Sequence, residues 1–227
     1  MLRAVLFDLD GTLLDTGELI AESILYALRG RISRLPTKSE VAARIGYPLR
    51  DQLRWWTKLE DVEELVRDYR DYSRRLQDTK LRAYPQAAET LSTLKACGLA
   101  IAAVTNKERD SALRGMRLTG LSPFFDAVIA VEDAGRPKPD PAPVIAALDR
   151  LGVRPEEAVM IGDSPLDMEA ARAAGVCAFG VAWTAWGAAR LRESGADAII
   201  ADLRELPKLL LTERAGEDGC VGLNGIR

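Results

Sequence analysis

Carboxylates follow two apolar runs of this sequence, at positions where they could carry out phosphoryl transfer. The first run ends in DLDGT, with Asp8 and Asp10, and a later run ends in GDSPLD, with Asp163 and Asp167. Acids that lie close together suppress each other's ionisation unless a cation compensates them. Because Mg²⁺ binds carboxylate and carbonyl oxygens and also neutralises phosphate, we expect a Mg²⁺ site among these acids.

Two further residues could bind the same oxyanion. Thr105 lies in VTNK, after another apolar run, and Lys138 lies in the loop RPKPDP. Lys138 would supply a positive charge, while the Thr105 hydroxyl and the backbone amides after Asp8 would donate hydrogen bonds. Taken singly, each residue is ordinary, since acids at strand ends are often turn formers and a lone lysine in a loop is usually solvated. Their order along the chain favours the site.

The sequence contains no histidine, so any acid and base chemistry uses other groups. Histidine-dependent nucleophiles and His-ligated zinc sites are excluded. Asp8 needs no activating base because an ordinary carboxyl is ionised at neutral pH, and it could attack phosphorus to form an aspartyl-phosphate. Asp10 could then protonate the leaving oxygen and later deprotonate the attacking water.

These side chains require a sheet that brings strand ends together. Short apolar runs at residues 4–7, 99–104, 127–131 and 158–161 alternate with helical patterns at residues 87–96, 111–118, 142–151 and 166–174, and shorter runs at 176–181 and 198–200 could extend the set. This alternation predicts an α/β fold, a doubly wound parallel sheet. Ligands of such sheets bind beyond the carboxyl ends of the strands.

Residues 15–84 interrupt this pattern with helical periodicity and no convincing strand. Helices are predicted at residues 17–28, 38–45, 49–58 and 61–77, as a bundle inserted after the first strand. Trp55 and Trp56 are interpreted as packing residues between these helices, with a role in a dimer as the alternative. We expect a core of residues 1–15 and 83–211, a helical insertion of residues 16–82, and a flexible tail at 212–227, where four glycines lie in 16 residues.

Composition excludes several classes of protein. The 227 residues include 31 basic and 34 acidic side chains, a net charge of −3, so binding of nucleic acid through a broad basic surface is disfavoured. The three cysteines, Cys97, Cys177 and Cys220, are widely spaced and are interpreted as reduced or incidental thiols. With no signal peptide pattern and no apolar stretch of roughly 20 residues, we expect a cytoplasmic protein without membrane association.

The four ordered motifs closely resemble those of the haloacid dehalogenase superfamily. They are DLDGT at residues 8–12, VTNK at 104–107, RPKPDP around Lys138, and GDSPLD at 162–167. The resemblance extends over about residues 2–210 and implies a Rossmann-like core with a helical cap of the C1 type. Residues 83–107 are most similar to the phosphoglycolate phosphatase-like branch.

The resemblance also implies a role for each motif residue. Asp8 would be the nucleophile and a Mg²⁺ ligand, and Asp10 the general acid and base, which binds the metal through its carbonyl oxygen. Thr105, Asn106 and Lys138 would bind the transferring phosphoryl group, and Asp163 would be the remaining metal ligand. Asp167 would hydrogen-bond a metal-bound water or Lys138.

Asp10 also separates the chemistries of the superfamily, because its dehalogenases lack an acid at this position. The leading hypothesis is a Mg²⁺-dependent phosphatase that acts on a small phosphorylated metabolite, with 2-phosphoglycolate as the first substrate to test. A β-phosphoglucomutase-like phosphotransferase and a pyrophosphatase are the alternatives on the same fold, and a non-catalytic phosphate-binding module is a third. The chain could be a monomer or a homodimer.

Substrate specificity is expected to reside in the helical insertion. Residues 46–50, Gly-Tyr-Pro-Leu-Arg, form the candidate specificity loop. Either Arg44 or Arg50 could bind a substrate carboxylate, with solvated helix positions as the alternative interpretation for both.

Overall fold

Parallel strands at the centre of the molecule form the expected sheet. A computed structural model describes residues 1–212, and its strands are β1 (Ala4–Phe7), β2 (Leu14–Asp15), β3 (Arg82–Ala83), β4 (Ala100–Val104), β5 (Ala127–Ile129), β6 (Ala158–Gly162), β7 (Cys177–Val181) and β8 (Ala198–Ile200). Six of them form one sheet in the order β5-β4-β1-β6-β7-β8, and all of its neighbouring pairs are parallel. The prediction of a doubly wound α/β fold is confirmed.

Helices cover both faces of this sheet and also form the insertion. In the described part of the chain they are α1 (Gly17–Leu28), α2 (Lys38–Ala42), α3 (Leu49–Thr57), α4 (Glu63–Lys80), α5 (Ala87–Ala96), α6 (Arg109–Leu118), α7 (Ala142–Leu151), α8 (Pro165–Ala173), α9 (Ala188–Glu193) and α10 (Glu205–Thr212). Strand β1 shows why both faces are apolar: Val5 and Phe7 pack into one hydrophobic cluster, and Ala4 and Leu6 pack into the other. Alternate side chains of a strand point to opposite faces, so a strand covered on both sides is continuously apolar.

The helices α1 to α4 have a hydrophobic cluster of their own. Ile24, Leu28, Leu53 and Val66 are among its buried members. We call residues 16–81, between β2 and β3, the helical insertion. Its boundaries with the sheet lie at β2 and β3, which pair antiparallel over two residues each.

Some local predictions for residues 15–84 were wrong. Strand β3 lies inside the segment that was predicted to contain no strand, because a two-residue ladder is too short to show alternation of apolar and polar residues. Trp56 packs against the insertion's hydrophobic cluster as predicted, whereas Trp55 is 44% exposed. Thr212, the first residue of the predicted tail, ends α10, and the rest of that tail, with Cys220, lies outside the described residues. No helix within residues 1–212 is both long and apolar enough to cross a membrane.

Candidate functional site

The ends of three adjacent strands bring the predicted site residues together. Asp8 follows β1, Thr105 follows β4 and Asp163 follows β6, and β1 lies between β4 and β6 in the sheet. The Asp8 amide donates to the carbonyl oxygen of Ile161 at 2.9 Å, which extends the ladder to the start of the loop. All three side chains are therefore almost completely buried at the carboxyl edge of the sheet.

Lys138 reaches this edge from the loop between β5 and α7. Its Nζ donates to Asp8 Oδ1 at 2.8 Å, to Asp167 Oδ1 at 2.5 Å and to the Val104 carbonyl oxygen at 2.7 Å. The side chain is only 2% exposed. A buried lysine is tolerated when acceptors surround it, as these three do here. The predicted contact between Asp167 and Lys138 is present.

Asn106 lies where the loops meet, but its side chain is engaged with backbone groups. Its Nδ2 donates to the carbonyl oxygens of Gly46 and Lys138, both at 2.9 Å, and its Oδ1 accepts from the Lys138 amide at 2.8 Å. The predicted phosphate contact of Asn106 stays a prediction. In this arrangement Asn106 positions Lys138 and connects it to the helical insertion.

Three acidic side chains at this edge could hold a metal ion. One carboxylate oxygen from each of Asp8, Asp163 and Asp167 lies within 4.8 Å of the others. Both oxygens of Asp167 already accept hydrogen bonds, Oδ1 from Lys138 and Oδ2 from the amide and hydroxyl of Ser164 at 3.0 and 2.6 Å. Asp8 and Asp163 therefore have the greater freedom to bind a cation, and an all-oxygen donor set suits Mg²⁺.

The loop after β1 leaves room for this arrangement only because residue 11 is glycine. Gly11 has a φ of +88°, and a Cβ at this position would lie 2.3 Å from Asp163 Oδ2. Glycine alone adopts such a conformation without cost, and here it also allows the close approach of the Asp163 carboxylate. The DLDGT loop is thus shaped around the carboxylate that follows β6.

Electrostatics also favour a cation at this cluster. Burial raises the pKa of Asp8 to about 7, with a further increase from Asp167, although Lys138 acts in the opposite direction. The pKa of Asp163 is raised well above its ordinary value by burial and by the nearby charge of Asp8. For Lys138, burial opposes the charge, but Asp167 and Asp8 outweigh this effect and raise its pKa. The site holds more negative charge than one lysine can neutralise, which is the situation that a divalent cation relieves.

Asp10 is not one of the three clustered carboxylates and is paired with Lys107. The Nζ of Lys107 is 2.8 Å from both carboxylate oxygens of Asp10, and the two side chains are 10% and 14% exposed. Lys107 ends the VTNK motif but was not among the residues predicted to act in the site. Its position two residues after Thr105, on the same loop, was the available signal.

A cavity of about 920 Å³ opens between the helical insertion and the carboxyl edge of the sheet. Asp10 and Lys107 line it from the sheet side, and Tyr47 and Tyr69 line it from the insertion. Its arginines are Arg70 and Arg74 on α4, Arg109, Arg114 and Arg117 on α6. None of them was predicted, although the spacing of four residues between Arg70 and Arg74 and of three between Arg114 and Arg117 places each pair on one helix face.

The two arginines predicted to bind substrate are engaged elsewhere. Arg50 donates to Glu63 at 2.6 and 3.0 Å and to Glu108 at 2.9 Å. The Arg44 guanidinium lies over the ring of Trp55, 4.0 Å from its centroid. Among the described residues, neither Arg44 nor Arg50 lines the cavity, and their predicted contact with substrate stays a prediction. The candidate specificity loop does reach it, through Gly46, Tyr47 and Leu49.

Comparison with known proteins gives a consistent result. The haloacid dehalogenase-like hydrolase family matches residues 5–181. The chain is 39% identical to pyrophosphatase PpaX of Bacillus velezensis, over 89% of this chain and 94% of that protein. It is 36% identical to pyrophosphatase PpaX of Anoxybacillus flavithermus, over 92% of this chain and 97% of that protein. A crystal structure of a predicted phosphoglycolate phosphatase from Haemophilus somnus superposes with a TM-score of 0.81 at 26% identity, over 92% of this chain and 98% of that one. The extent of these matches and the convergence of all four motifs at one sheet edge establish that this chain belongs to the haloacid dehalogenase-like hydrolases, among their phosphatases.

Proposed function

We propose that this protein is a Mg²⁺-dependent hydrolase of phosphoanhydrides, with inorganic pyrophosphate as its first substrate to test. The observation that carries the proposal is the set of contacts around Asp8, which pairs with the Lys138 ammonium and lies within 4.8 Å of carboxylate oxygens of Asp163 and Asp167. A nucleophilic carboxylate needs this combination of a fixed positive charge and a cation site to approach a phosphoryl group.

In the proposed reaction, a carboxylate oxygen of Asp8 attacks phosphorus and the bond from phosphorus to the leaving oxygen breaks. Asp10 gives a proton to the leaving oxygen, and an aspartyl-phosphate remains on Asp8. Asp10 then removes a proton from a water molecule, whose oxygen attacks the same phosphorus and releases orthophosphate and free Asp8. Lys138 and Thr105 bind the phosphoryl oxygens throughout. Mg²⁺, held by Asp8 and Asp163 when bound, would neutralise charge on the phosphoryl group.

The choice of an anhydride over an ester rests on the relatives. Two relatives at 39% and 36% identity are named pyrophosphatases, whereas the structure named for phosphoglycolate is 26% identical. The higher identity to pyrophosphatases places pyrophosphate before 2-phosphoglycolate, whereas 2-phosphoglycolate came first among the hypotheses from sequence. Hydrolysis of 2-phosphoglycolate remains the second candidate because of the similarity of residues 83–107 to that branch.

We also propose that the helical insertion acts as a cap. Glu108, at the start of α6, accepts hydrogen bonds from Arg50 and Arg70 of the insertion, so charged contacts hold the two parts together beside the cavity. Closure around a substrate would exclude water from the reacting groups. A cavity of about 920 Å³ that a cap can close has room for a small phosphorylated metabolite.

Release of orthophosphate from a panel of substrates tests this function. The panel contains pyrophosphate, 2-phosphoglycolate, glucose 1-phosphate and p-nitrophenyl phosphate, each measured with Mg²⁺ and with a chelator. We expect pyrophosphate to have the highest kcat/KM and the chelator to abolish turnover. Asp8→Asn should remove activity, whereas Asp71→Asn, at an exposed position on α4, should retain it. Greater activity on 2-phosphoglycolate than on pyrophosphate would establish the second candidate. Isomerisation of glucose 1-phosphate without phosphate release would indicate a mutase. An active Asp8→Asn variant would contradict the mechanism.

A further inference from the structure

Lys107 is a second lysine at the carboxyl edge of the sheet, with a side chain only 10% exposed, and its surroundings differ from those of Lys138. Lys138 contacts the nucleophile Asp8 and is not among the residues that line the cavity, within the described part of the chain. Lys107 contacts Asp10 and lines the cavity. The two lysines therefore contact different acids of the proposed reaction, Lys138 the nucleophile Asp8 and Lys107 the general acid Asp10.

The position of Lys107 relative to the leaving group follows from the geometry of phosphoryl transfer. The attacking and leaving oxygens are roughly in line through phosphorus, so a leaving group displaced by buried Asp8 points away from it, into the cavity. Asp10 must come within hydrogen-bond distance of the leaving oxygen to protonate it. Because Lys107 Nζ is 2.8 Å from both oxygens of Asp10, it lies next to the leaving group as well.

Resting on the proposed function, we propose that Lys107 binds the negatively charged oxygens of the leaving phosphate and thereby selects phosphoanhydrides over esters with uncharged leaving groups. A leaving phosphate carries negative charge of its own in addition to that of the transferring group, and a cation beside it stabilises this charge. An alcohol or phenol brings no such charge to this position before the bond breaks. The contribution of Lys107 is therefore larger for the anhydride.

Burial makes Lys107 more effective than the other cations of the cavity. Its side chain is 10% exposed, whereas those of Arg70, Arg109 and Arg114 are 37%, 40% and 32% exposed. These three arginines pair with Glu108, Asp133 and Asp78 respectively. A charge that is shielded from water interacts more strongly with a neighbouring anion, and its orientation is already fixed when substrate arrives.

Pyrophosphate and p-nitrophenyl phosphate form a suitable pair of substrates for the test. Their leaving groups have similar acidity, so a disturbance of Asp10 affects both, but only one leaving group is itself a phosphate. We expect Lys107→Met to lower kcat/KM for pyrophosphate about 10- to 100-fold more than for p-nitrophenyl phosphate, as expected for the loss of a hydrogen bond to a charged group. Lys107→Arg, which keeps the charge, should restore most of this ratio.

Arg117→Met is the matched control, because it removes one positive charge from an exposed position of the same cavity. This variant should change kcat/KM for pyrophosphate and for p-nitrophenyl phosphate by similar factors. An equal loss for the two substrates in Lys107→Met would overturn the proposal, and so would an equal change of the ratio in Arg117→Met. If wild-type protein hydrolyses p-nitrophenyl phosphate but no anhydride, the proposed function itself fails, which is a distinct result.

Binding provides a readout independent of turnover. Calorimetry with imidodiphosphate, a non-hydrolysable analogue of pyrophosphate, and with orthophosphate should show a greater loss of affinity for the former in Lys107→Met. Equal losses contradict the proposal. Circular dichroism and thermal melting establish that each variant is folded, and Lys107→Gln and Lys107→Arg provide the comparison if the methionine variant is not.

Discussion

Removal of the Lys138 ammonium is the perturbation whose energetic effect the structure defines best. In Lys138→Met a side chain of similar length remains, but Asp8, Asp167 and the Val104 carbonyl oxygen each lose a hydrogen bond. Asp8 and Asp167 are 6% and 1% exposed, so water cannot easily replace the lost donor. Two buried carboxylates are left beside a third, Asp163.

Breaking a buried ion pair from one side costs about 3–5 kcal/mol, because the remaining charge is stranded. For a chain of this size that loss corresponds to a decrease of roughly 6–20 °C in Tm. Protonation of the stranded carboxylates limits the cost, so the decrease should be smaller at pH 5 than at pH 8. Phosphatase activity should be lost at both values.

Urea unfolding and thermal melting of the metal-free protein measure this effect. Lys95→Met is the matched control: Lys95 pairs with Asp126 at 2.7 Å, but the two side chains are 35% and 39% exposed. Exposed pairs contribute only about 0–1 kcal/mol. A loss for Lys138→Met no larger than that for Lys95→Met, or one that does not depend on pH, would refute the assignment of Lys138 as the counter-charge of the acidic cluster.

Three other predictions concern metal binding and the insertion. In metal-free protein the free energy of unfolding should fall as pH rises from about 4 to about 7. The reason is that Asp8 and Asp163 have higher pKa values in the folded than in the unfolded chain, so they release protons on unfolding. Urea melts with and without Mg²⁺ should show this fall only without Mg²⁺. Gly11→Ala should lose Mg²⁺ affinity and about 1–3 kcal/mol of stability, whereas Gly30→Ala, with a φ of +74° in open space, should lose stability but keep Mg²⁺ affinity in calorimetry. Glu108→Gln should weaken the contact between core and insertion and increase the radius of gyration in small-angle scattering, and an unchanged radius would contradict that role.

Much of the sheet and the residues at its edge could be predicted from the sequence. Buried parallel strands must be continuously apolar, so residues 4–7 and 198–200 were recognised with their observed bounds. Strand ends of such a sheet meet at one edge, so Asp8 and Asp163 were expected to lie together, as they do. The residue types at the strand ends and the continuous apolar runs of the strands were sufficient for these two predictions.

The contacts of charged residues in the helical insertion could not be predicted, because such residues pair with groups that only the tertiary structure brings near them. Arg50 was expected to meet substrate but pairs with Glu63 and with Glu108, which is 58 residues away in sequence. Arg44 stacks on Trp55, a contact that depends on how the loop before α3 turns. Helical periodicity identifies which face is apolar but not which carboxylate an arginine meets.

The sequence by itself determined the fold class, the four motifs and the acidic residues available to a metal, because these depend on residue type and spacing along single elements. Only the tertiary structure decided the pairing of Lys107 with Asp10 and the use of the Asn106 amide to hold the backbone of Lys138. Both arrangements join loops that follow different strands. Their geometry depends on the order of the strands and on where the helical insertion packs. Neither the strand order nor this packing can be predicted from any single segment of the chain.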